Sequence, residues 1–529
     1  MATSTIFLVS AALLTWLYLG FGRQKHANTP KLPIISDFSG APLEKPLLNW
    51  DTWSKANGPV AKPKLYGILP VVIINTMEAA TELLSRRSNN YSNRPSFVTI
   101  EMVTNAGPGK SKFTHMHDND AEFRLYQRML TSSLGAVAAP RYQPLIELEG
   151  KQMLAEILEL LSPGNMSMVS SDDLYVLFER AQTSLMLALH YGIRATTASD
   201  PLLHELIGMQ NIITHLAASP SLPDIFPFLR HLPAVVSPWR KAANRLYHVQ
   251  REFYVKLLES GKRNPGWNAT IEALSVAAKH AGPNTISDEN LAFLLATSVH
   301  GGAETSPRQT LWLAVAAVCK PICVQRAQKV LDDVVGRDRL PTFTDRPRLA
   351  YVEAVVLELM RWRPVAPSSI VRRADDADEY RGVHIAKGTT VFSNTWAISR
   401  DADAYDDKLG DLQDFCPERW LEGRSMDKLR ADLPVPIFGQ GRRSCPGKRV
   451  GMDGMFLSVS LLLWAFDFNK AEEIDPDAMA VWGFTAAPAP YKVRLKPRGP
   501  WVSEVVNREW TSAEKHLENL TGNASQDEA

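Results

Sequence analysis

The sequence predicts a mainly α-helical globule with a small β-rich region, preceded by one N-terminal transmembrane helix. Three observations point there. From Arg141 to His280 apolar residues recur mostly at helical spacing, and a second long helix follows from a capping box at Thr285 and Asp288 through about Lys320. Strand-like runs are few and short, Val71-Val72-Ile73-Ile74 early and His384 to Val391 late. The first 22 residues carry no charge and are just long enough to cross a bilayer.

Composition bounds the function before any motif does. The chain has 529 residues, 45% hydrophobic and 22% charged, which suits a large core. A net charge of +1 with no long basic run argues against a nucleic-acid partner, and acidic substrates are not implied either. Four cysteines, at 319, 323, 416 and 445, are too few and too scattered for a disulfide framework and fit a reducing compartment. Cys319 and Cys323 lie four apart in an apolar helical stretch and so share a face. No second Cys or His pair follows at zinc spacing, and they read as core thiols.

In chain order, residues 1–22 read as a retained signal-anchor. No basic residue precedes Arg23, as a cleaved signal peptide would want, whereas Arg23, Lys25 and Lys31 follow the apolar run and place the rest of the chain in the cytosol. Residues 23–46, with Pro30, Pro33, Pro42 and Pro46, form a stiff linker, and the globular domain is expected over 47–504. Val71–Ile74 is a buried strand and Met77 to Arg87 a helix. Periodicity fades between Ser96 and Asp120, where Asn105-Ala106-Gly107-Pro108-Gly109 marks a loop. Asp120 to Leu134 reads as a helix carrying Arg124 and Arg128 on one face. The helical pattern then breaks at Ser162-Pro163-Gly164 and around Pro220, Pro223, Pro227 and Pro233. Residues 505–529 are polar, which predicts a disordered tail. Sequons at Asn90, Asn165, Asn268, Asn519 and Asn523 would stay bare in a cytosolic globule.

Two stretches break the local rules. Inside the long helix, Gly301-Gly302-Ala303-Glu304-Thr305-Ser306-Pro307 sets poor helix formers, an acid and hydroxyls among apolar residues. Each Gly costs about 1 kcal/mol relative to Ala and an interior Pro about 3. Violations of this kind cluster at functional sites. The second is Phe438-Gly439-Gln440-Gly441-Arg442-Arg443-Ser444-Cys445-Pro446-Gly447. A thiolate is a soft iron ligand, and Cys445 has the electropositive setting a thiolate needs, beside arginines and before an apolar helix from Lys448 to Trp464. Gly439, Gly441 and Gly447 let the backbone approach a flat ligand, and Arg443 can pair with a carboxylate on it. Those are the needs of a haem with an axial thiolate.

F-G-x-G-x-R-x-C-x-G is the haem-binding signature of the cytochromes P450, and over roughly residues 45–500 the chain resembles that family. The resemblance implies a P450 fold binding one haem b, with Cys445 as the iron ligand, Arg443 as a propionate partner and Phe438 shielding the sulfur. Residues 301–306 resemble the oxygen-activation motif [AG]-G-x-[DE]-T-[TS]. Gly301 and Gly302 then make room for O2 beside the haem, and Thr305 and Glu304 relay the protons that splitting the O–O bond requires. The family places W-x-x-x-R near residue 123, where this chain has Phe123 and Gln127. Arg124 or Arg128 replaces that propionate contact, or both are simply solvated. Arg372 occupies the place of a further propionate partner. Glu358-x-x-Arg361 with Pro417-Glu418-Arg419-Trp420 resembles the pair of motifs that forms a structural charged network, here Glu358, Arg361 and Arg419. Residues 96–120 and the Pro-rich stretch after Pro220 correspond to parts of the substrate pocket and its lid, and Trp482 to Thr485 to a hairpin tip closing the pocket.

The implied reaction is monooxygenation at the endoplasmic reticulum membrane. NADPH-cytochrome P450 reductase is the implied electron donor, because no flavin or nicotinamide fingerprint is present. Lys448, Arg449, Arg124 and Arg128 form a candidate cationic face for it. The R-S-N-N-Y-S-N-R-P and R-W-R-P-V stretches resemble fungal secondary-metabolism members, implying a lipophilic small-molecule substrate. Two alternatives share the fold: a haem-thiolate isomerase or dehydratase, and a haem-binding sensor without catalysis.

Overall fold

The structure, a computed structural model, describes residues 46–65, 69–161, 167–218, 221–281, 286–405, 407–423, 425–482 and 485–514. The expected membrane anchor, nearly all of the linker, the break at 162–164, Thr285, residues 483–484 of the hairpin tip and the sequons at Asn165, Asn519 and Asn523 lie outside these residues. Among the described residues, no single helix is long and apolar enough to cross a membrane.

Helices dominate, and six of them frame a central cavity: α1 (Ala121–Leu134), α2 (Ser171–Tyr191), α3 (Pro201–Ala218), α4 (Asp288–Cys319), α5 (Ala350–Trp362) and α6 (Lys448–Ala465). α4 is the axis of the molecule, apolar on nearly every face and buried along most of its length from Leu291 to Ala317. Ser287 caps it, its hydroxyl accepting from the Asn290 N–H at 3.1 Å. Pro307 stays within the helix. Lys320 ends it, and Pro321 starts the next helix at a bend of 107°. Cys319 and Cys323 therefore sit on two helices and do not share a face, because Lys320-Pro321 breaks the run that sequence periodicity read as continuous.

The small sheets join distant parts of the chain. Leu69–Ile74 pairs in parallel with Thr390–Ser393, with Val71 opposite Thr390 and Ile74 opposite Ser393. Arg372–Arg373, Val60–Ala61 and Lys64–Leu65 complete this sheet. The single strand expected from His384 to Val391 is two. Val383–Ile385 pairs with Asp378–Tyr380, and Gly388, at φ +81°, turns the chain before Thr390. The helix expected from Met77 to Arg87 changes type midway, with Thr81–Arg86 opening to π geometry.

The polar C-terminal region begins as a helix, Pro500–Glu514, that covers the expected start of the disordered tail. Val502, Val505 and Val506 form an i, i+3, i+4 apolar stripe packed against the Ala139–Leu160 helix, and this stripe is hidden in a composition that is polar on average. Two sequons are held by the fold itself. The Asn268 side chain is fully buried and donates to Gly261 O at 3.0 Å, and Asn90 accepts from the Asp376 N–H at 2.7 Å.

The expected charged network is present and completely buried. Arg361 forks onto Glu358 with Nε at 2.7 Å and Nη2 at 2.8 Å, while its remaining N–H groups reach Ser399 O, Leu412 O and Asp414 O. Glu358 also accepts from the Cys416 N–H at 2.8 Å and the Trp420 indole at 2.9 Å, and Arg419 lies 3.7 Å away. One carboxylate thus ties α5 to the 410–420 segment, which leads into the cysteine loop. Arg361→Ala removes the bidentate partner of buried Glu358 and leaves only Arg419, 3.7 Å away, at a cost on the order of 3–5 kcal/mol. Expression of that variant should yield little folded, haem-loaded protein by absorbance and thermal melting; normal haem content would show the network to be dispensable.

Candidate active site

The cysteine loop is shaped by two glycines in the left-handed region, Gly439 at φ +68° and Gly441 at φ +61°. A Cβ on Gly441 would stand 2.0 Å from Leu84 O, so only glycine lets the loop lie against the 81–86 turn. The loop is closed by the Cys445 N–H, which donates to Phe438 O at 2.8 Å. Gly447 begins α6 directly after the cysteine, and a Cβ there would sit 3.8 Å from Sγ. The accessible surface of Cys445 opens into a cavity of about 360 Å³. Burial pushes its thiol pKa up, opposed by the Gly447 backbone and the Lys448 charge. Phe438 lines the same floor and packs toward Gly451 on α6.

Three guanidiniums converge on this cavity. Arg443 lies over the Phe123 ring, 3.8 Å from its centre, and donates to Ser92 O at 2.6 Å and to His117 O. Arg372 donates to Gln440 O at 2.7 Å. The third, Arg94, was not singled out from the sequence. It donates to Ile370 O at 2.9 Å and to Val371 O. Its only signal was its place in the R-S-N-N-Y-S-N-R-P stretch, where a lone Arg before Pro reads as loop. Arg443 Nη1 and Arg94 Nε are buried without a partner, and among the described residues none of the three makes an ion pair. Burial pushes Arg372 down to about 10; burial and the neighbouring Arg372 push Arg443 down to about 9; burial, Arg443 and Arg372 push Arg94 well below its ordinary value. A ligand bearing carboxylates is what this cluster lacks.

Arg124 and Arg128 take no part. Both are exposed, because α1 buries Phe123, Tyr126, Met129 and Leu130, and the face it turns to the cavity carries Phe123, Gln127 and Leu130. The positions of the missing W-x-x-x-R thus do line the site, with other chemistry, and the two arginines lie on the outer surface.

On the opposite element, α4, the Thr305 hydroxyl faces the cavity and donates to Gly301 O at 2.8 Å. Gly301 borders open space, as expected of a residue making room for a small ligand. Gly302 lines the cavity but is in close contact with α2, where a Cβ would meet the Met186 sulfur at 2.5 Å, so its smallness serves helix packing as well. The buried Glu304 carboxylate accepts from Gln210 Nε2 at 2.8 Å and Thr214 Oγ1 at 3.0 Å on α3 and from Thr485 Oγ1 at 2.8 Å, with Arg308 at 3.4 Å. His300, absent from the sequence reading, extends this network. Its Nδ1 meets Gln210 Oε1 at 3.2 Å and its Nε2 meets the Tyr254 hydroxyl at 2.8 Å. Because a carboxylate only accepts, Gln210 turns its NH2 to Glu304 and its oxygen to His300. His300 therefore carries its hydrogen on Nδ1 and accepts at Nε2.

Comparison with known proteins decides the family. The family model for cytochrome P450 matches residues 32–495. The chain belongs to the cytochrome P450 family. It is 30% identical to cytochrome P450 monooxygenase FrzL of a Cladobotryum species over 91% of this chain and 88% of that protein. It is 31% identical to cytochrome P450 monooxygenase aneD of Aspergillus aculeatus over 94% and 92%. Among solved structures, a zebra fish cytochrome P450 with progesterone superposes with a TM-score of 0.69 at 26% identity, over 86% of this chain and 99% of that one. These relatives make the chain an oxidoreductase of the monooxygenase type. The family implies a haem with a cysteine thiolate on iron. The residues present fit that group: one thiol on the floor of the cavity, glycines where the backbone must approach a flat ring, and buried guanidiniums with unpaired N–H groups.

α2 also carries a pH-sensitive element. His190 on α2 is fully buried between Met186 O, 2.8 Å from Nδ1, and the Ser298 hydroxyl, 2.9 Å from Nε2. Burial pushes it down to about 4. With the folded pKa below the unfolded value, this stability is present above about pH 6.5 and is lost as pH falls toward 4. Denaturant melts should show His190 removing about 2 kcal/mol between pH 7.5 and 5. His190→Gln should lack that pH-dependent part whatever it costs at pH 7.5; an identical pH slope would exclude His190 as its source.

Proposed function

We propose that the protein is a haem-thiolate monooxygenase of the endoplasmic reticulum membrane. It takes electrons from NADPH through a cytochrome P450 reductase and oxidises a lipophilic intermediate of a fungal secondary-metabolite pathway. The observation that carries this reading is the meeting of Cys445, the three arginines and the Glu304–Thr305 pair on one cavity. The relatives from Cladobotryum and Aspergillus support the fungal setting, and the uncharged run at 1–22 supports the membrane anchor. The exposed Arg124, Arg128 and Lys448 are available as a cationic docking face, with the half-exposed Arg449 beside them already paired with Asp453 at 3.0 Å.

In this reading Cys445 ligates the iron, and Arg94, Arg372 and Arg443 bind the propionates. The haem, when bound, supplies the activation of O2 and the oxidation of a substrate C–H bond. Gly301 leaves room on the α4 side. Thr305 holds a proton on Oγ1 at the cavity, its orientation set by the Gly301 carbonyl. Glu304 is the proton reservoir behind it, linked through Gln210 and His300 to Tyr254. The apolar lining excludes bulk water from the reacting atoms.

The first test is a carbon monoxide difference spectrum of the reduced full-length protein in microsomes. A red-shifted Soret band that disappears in Cys445→Ala is expected, and a folded protein without that band would refute the assignment. Thr305→Ala should keep the band but lower product formed per NADPH consumed, by about tenfold or more. Unchanged coupling would remove Thr305 from proton delivery.

A further inference from the structure

We propose that Tyr254 and Tyr247 form an electron relay that discharges an oxidising equivalent left at the haem when no substrate consumes it. The electrons come one at a time from a small soluble reductant of the ascorbate class. This rests on the monooxygenase reading and adds a second, one-electron activity to the same site. Among the described residues, none of the rings lining the cavity is Tyr or Trp. Phe113, Phe123 and Phe438 have no removable proton and are hard to oxidise. An oxidisable ring lies one contact behind the wall, where Tyr254 meets the cavity-lining His300.

A tyrosine gives up an electron readily only if its phenolic proton can leave with it, so each member of a relay needs a base at its oxygen. Both have one. The direction of the Glu304 network leaves His300 Nε2 as an acceptor, and the Tyr254 hydroxyl donates to it at 2.8 Å. Burial pushes His300 down to about 4, so the ring is neutral and Nε2 is open to a proton. Tyr247 donates to Glu289 Oε1 at 2.8 Å. Glu289 is partly exposed and is held by Lys112 and by Arg251 at 3.1 Å, which brings the outer end of the relay to the surface. The two phenols share the Pro238–Arg263 helix, seven residues apart, or about 10 Å along its axis. Phe293 of α4 lies between them, edge-on to Tyr254 at 5.2 Å and within 20° of parallel to Tyr247 at 6.4 Å.

In the first step one electron passes from Tyr254 to the haem, the phenolic O–H bond breaks, and the proton moves to His300 Nε2. Tyr247 then returns an electron to Tyr254, which recovers its proton from His300, while the Tyr247 proton moves to Glu289. The reductant supplies one electron to Tyr247, and Glu289 gives that proton back. The net change is one electron gained at the haem and one lost by the reductant, with both tyrosines restored. A weak base suits this task, because it takes the proton only from an oxidised phenol and releases it afterwards.

The test mixes haem-loaded, full-length protein with peracetic acid in the absence of substrate, reading freeze-quenched electron paramagnetic resonance and bleaching of the Soret band. A tyrosyl signal is expected that narrows on ring deuteration of tyrosine and that ascorbate removes. Tyr254→Phe should lose most of this signal and bleach faster, with haem content and the carbon monoxide band unchanged. Tyr247→Phe should keep the radical but make it long-lived and insensitive to ascorbate, and this variant decides the matter if Tyr254→Phe fails to load haem. Absence of a tyrosyl signal in the wild-type protein overturns the relay. So does a signal of unchanged size in Tyr254→Phe, or one that ascorbate removes as fast from Tyr247→Phe as from the wild type. A wild-type protein without the red-shifted carbon monoxide band would instead defeat the underlying monooxygenase reading, and a normal band without the radical defeats the relay alone.

Discussion

Three buried guanidiniums that make no ion pair among the described residues, with Asp118 as their nearby acid, set the terms for the rest of the molecule. Arg94, Arg372 and Arg443 repel one another, and burial weakens the hold of each on its proton. Backbone carbonyls of residues 92, 117, 370, 371 and 440 fix their directions without neutralising them. Such a cluster is tolerable only where an anion completes it. On the proposed reading, two haem propionates would turn the repulsion into attraction, and haem binding and folding would draw on the same free energy. The carbonyls come from four separate segments, which the sheet pairing of Leu69–Ile74 with Thr390–Ser393 helps bring together.

The thiol end depends on a different device. The loop can reach the 81–86 turn only because Gly441 has no Cβ, and the Glu358 network separately ties the 410–420 segment before it to α5. A carboxylate accepting from one guanidinium, one amide and one indole is saturated. Saturation makes the network rigid and fixes the 410–420 segment against α5.

Glu304 poses the opposite case. The proposed proton path requires this acid to exchange protons, yet three donors and Arg308 hold the carboxylate. Two of those donors come from α3, over the cavity, so the grip on Glu304 and the shape of the cavity are mechanically one thing. The ordering Tyr254, His300, Gln210, Glu304 is fixed in direction by the carboxylate alone.

The motifs were legible because their chemistry is local. Cys445, the loop glycines, the Glu304–Thr305 pair and Glu358-x-x-Arg361 each lie within a few residues, so residue types and spacing were sufficient to identify them. The valine stripe of Pro500–Glu514 was missed because its neighbours are polar; Cys319 and Cys323 are core thiols as read, but they do not share a face because Lys320-Pro321 breaks the helix between them. Arg94 and His300 were invisible, since their meaning depends on groups hundreds of residues or another helix away. Arg124 and Arg128 looked suitable by charge, yet helical phase turned them outward and presented Phe123 and Gln127 instead. By itself the sequence determined the helical class and singled out the cysteine loop and the 301–306 stretch as candidate site segments, because each is written in contiguous residues. Only the tertiary structure decided which arginines face the cavity and which polar groups are bound into networks behind it, because both follow from burial and from partners brought together by folding.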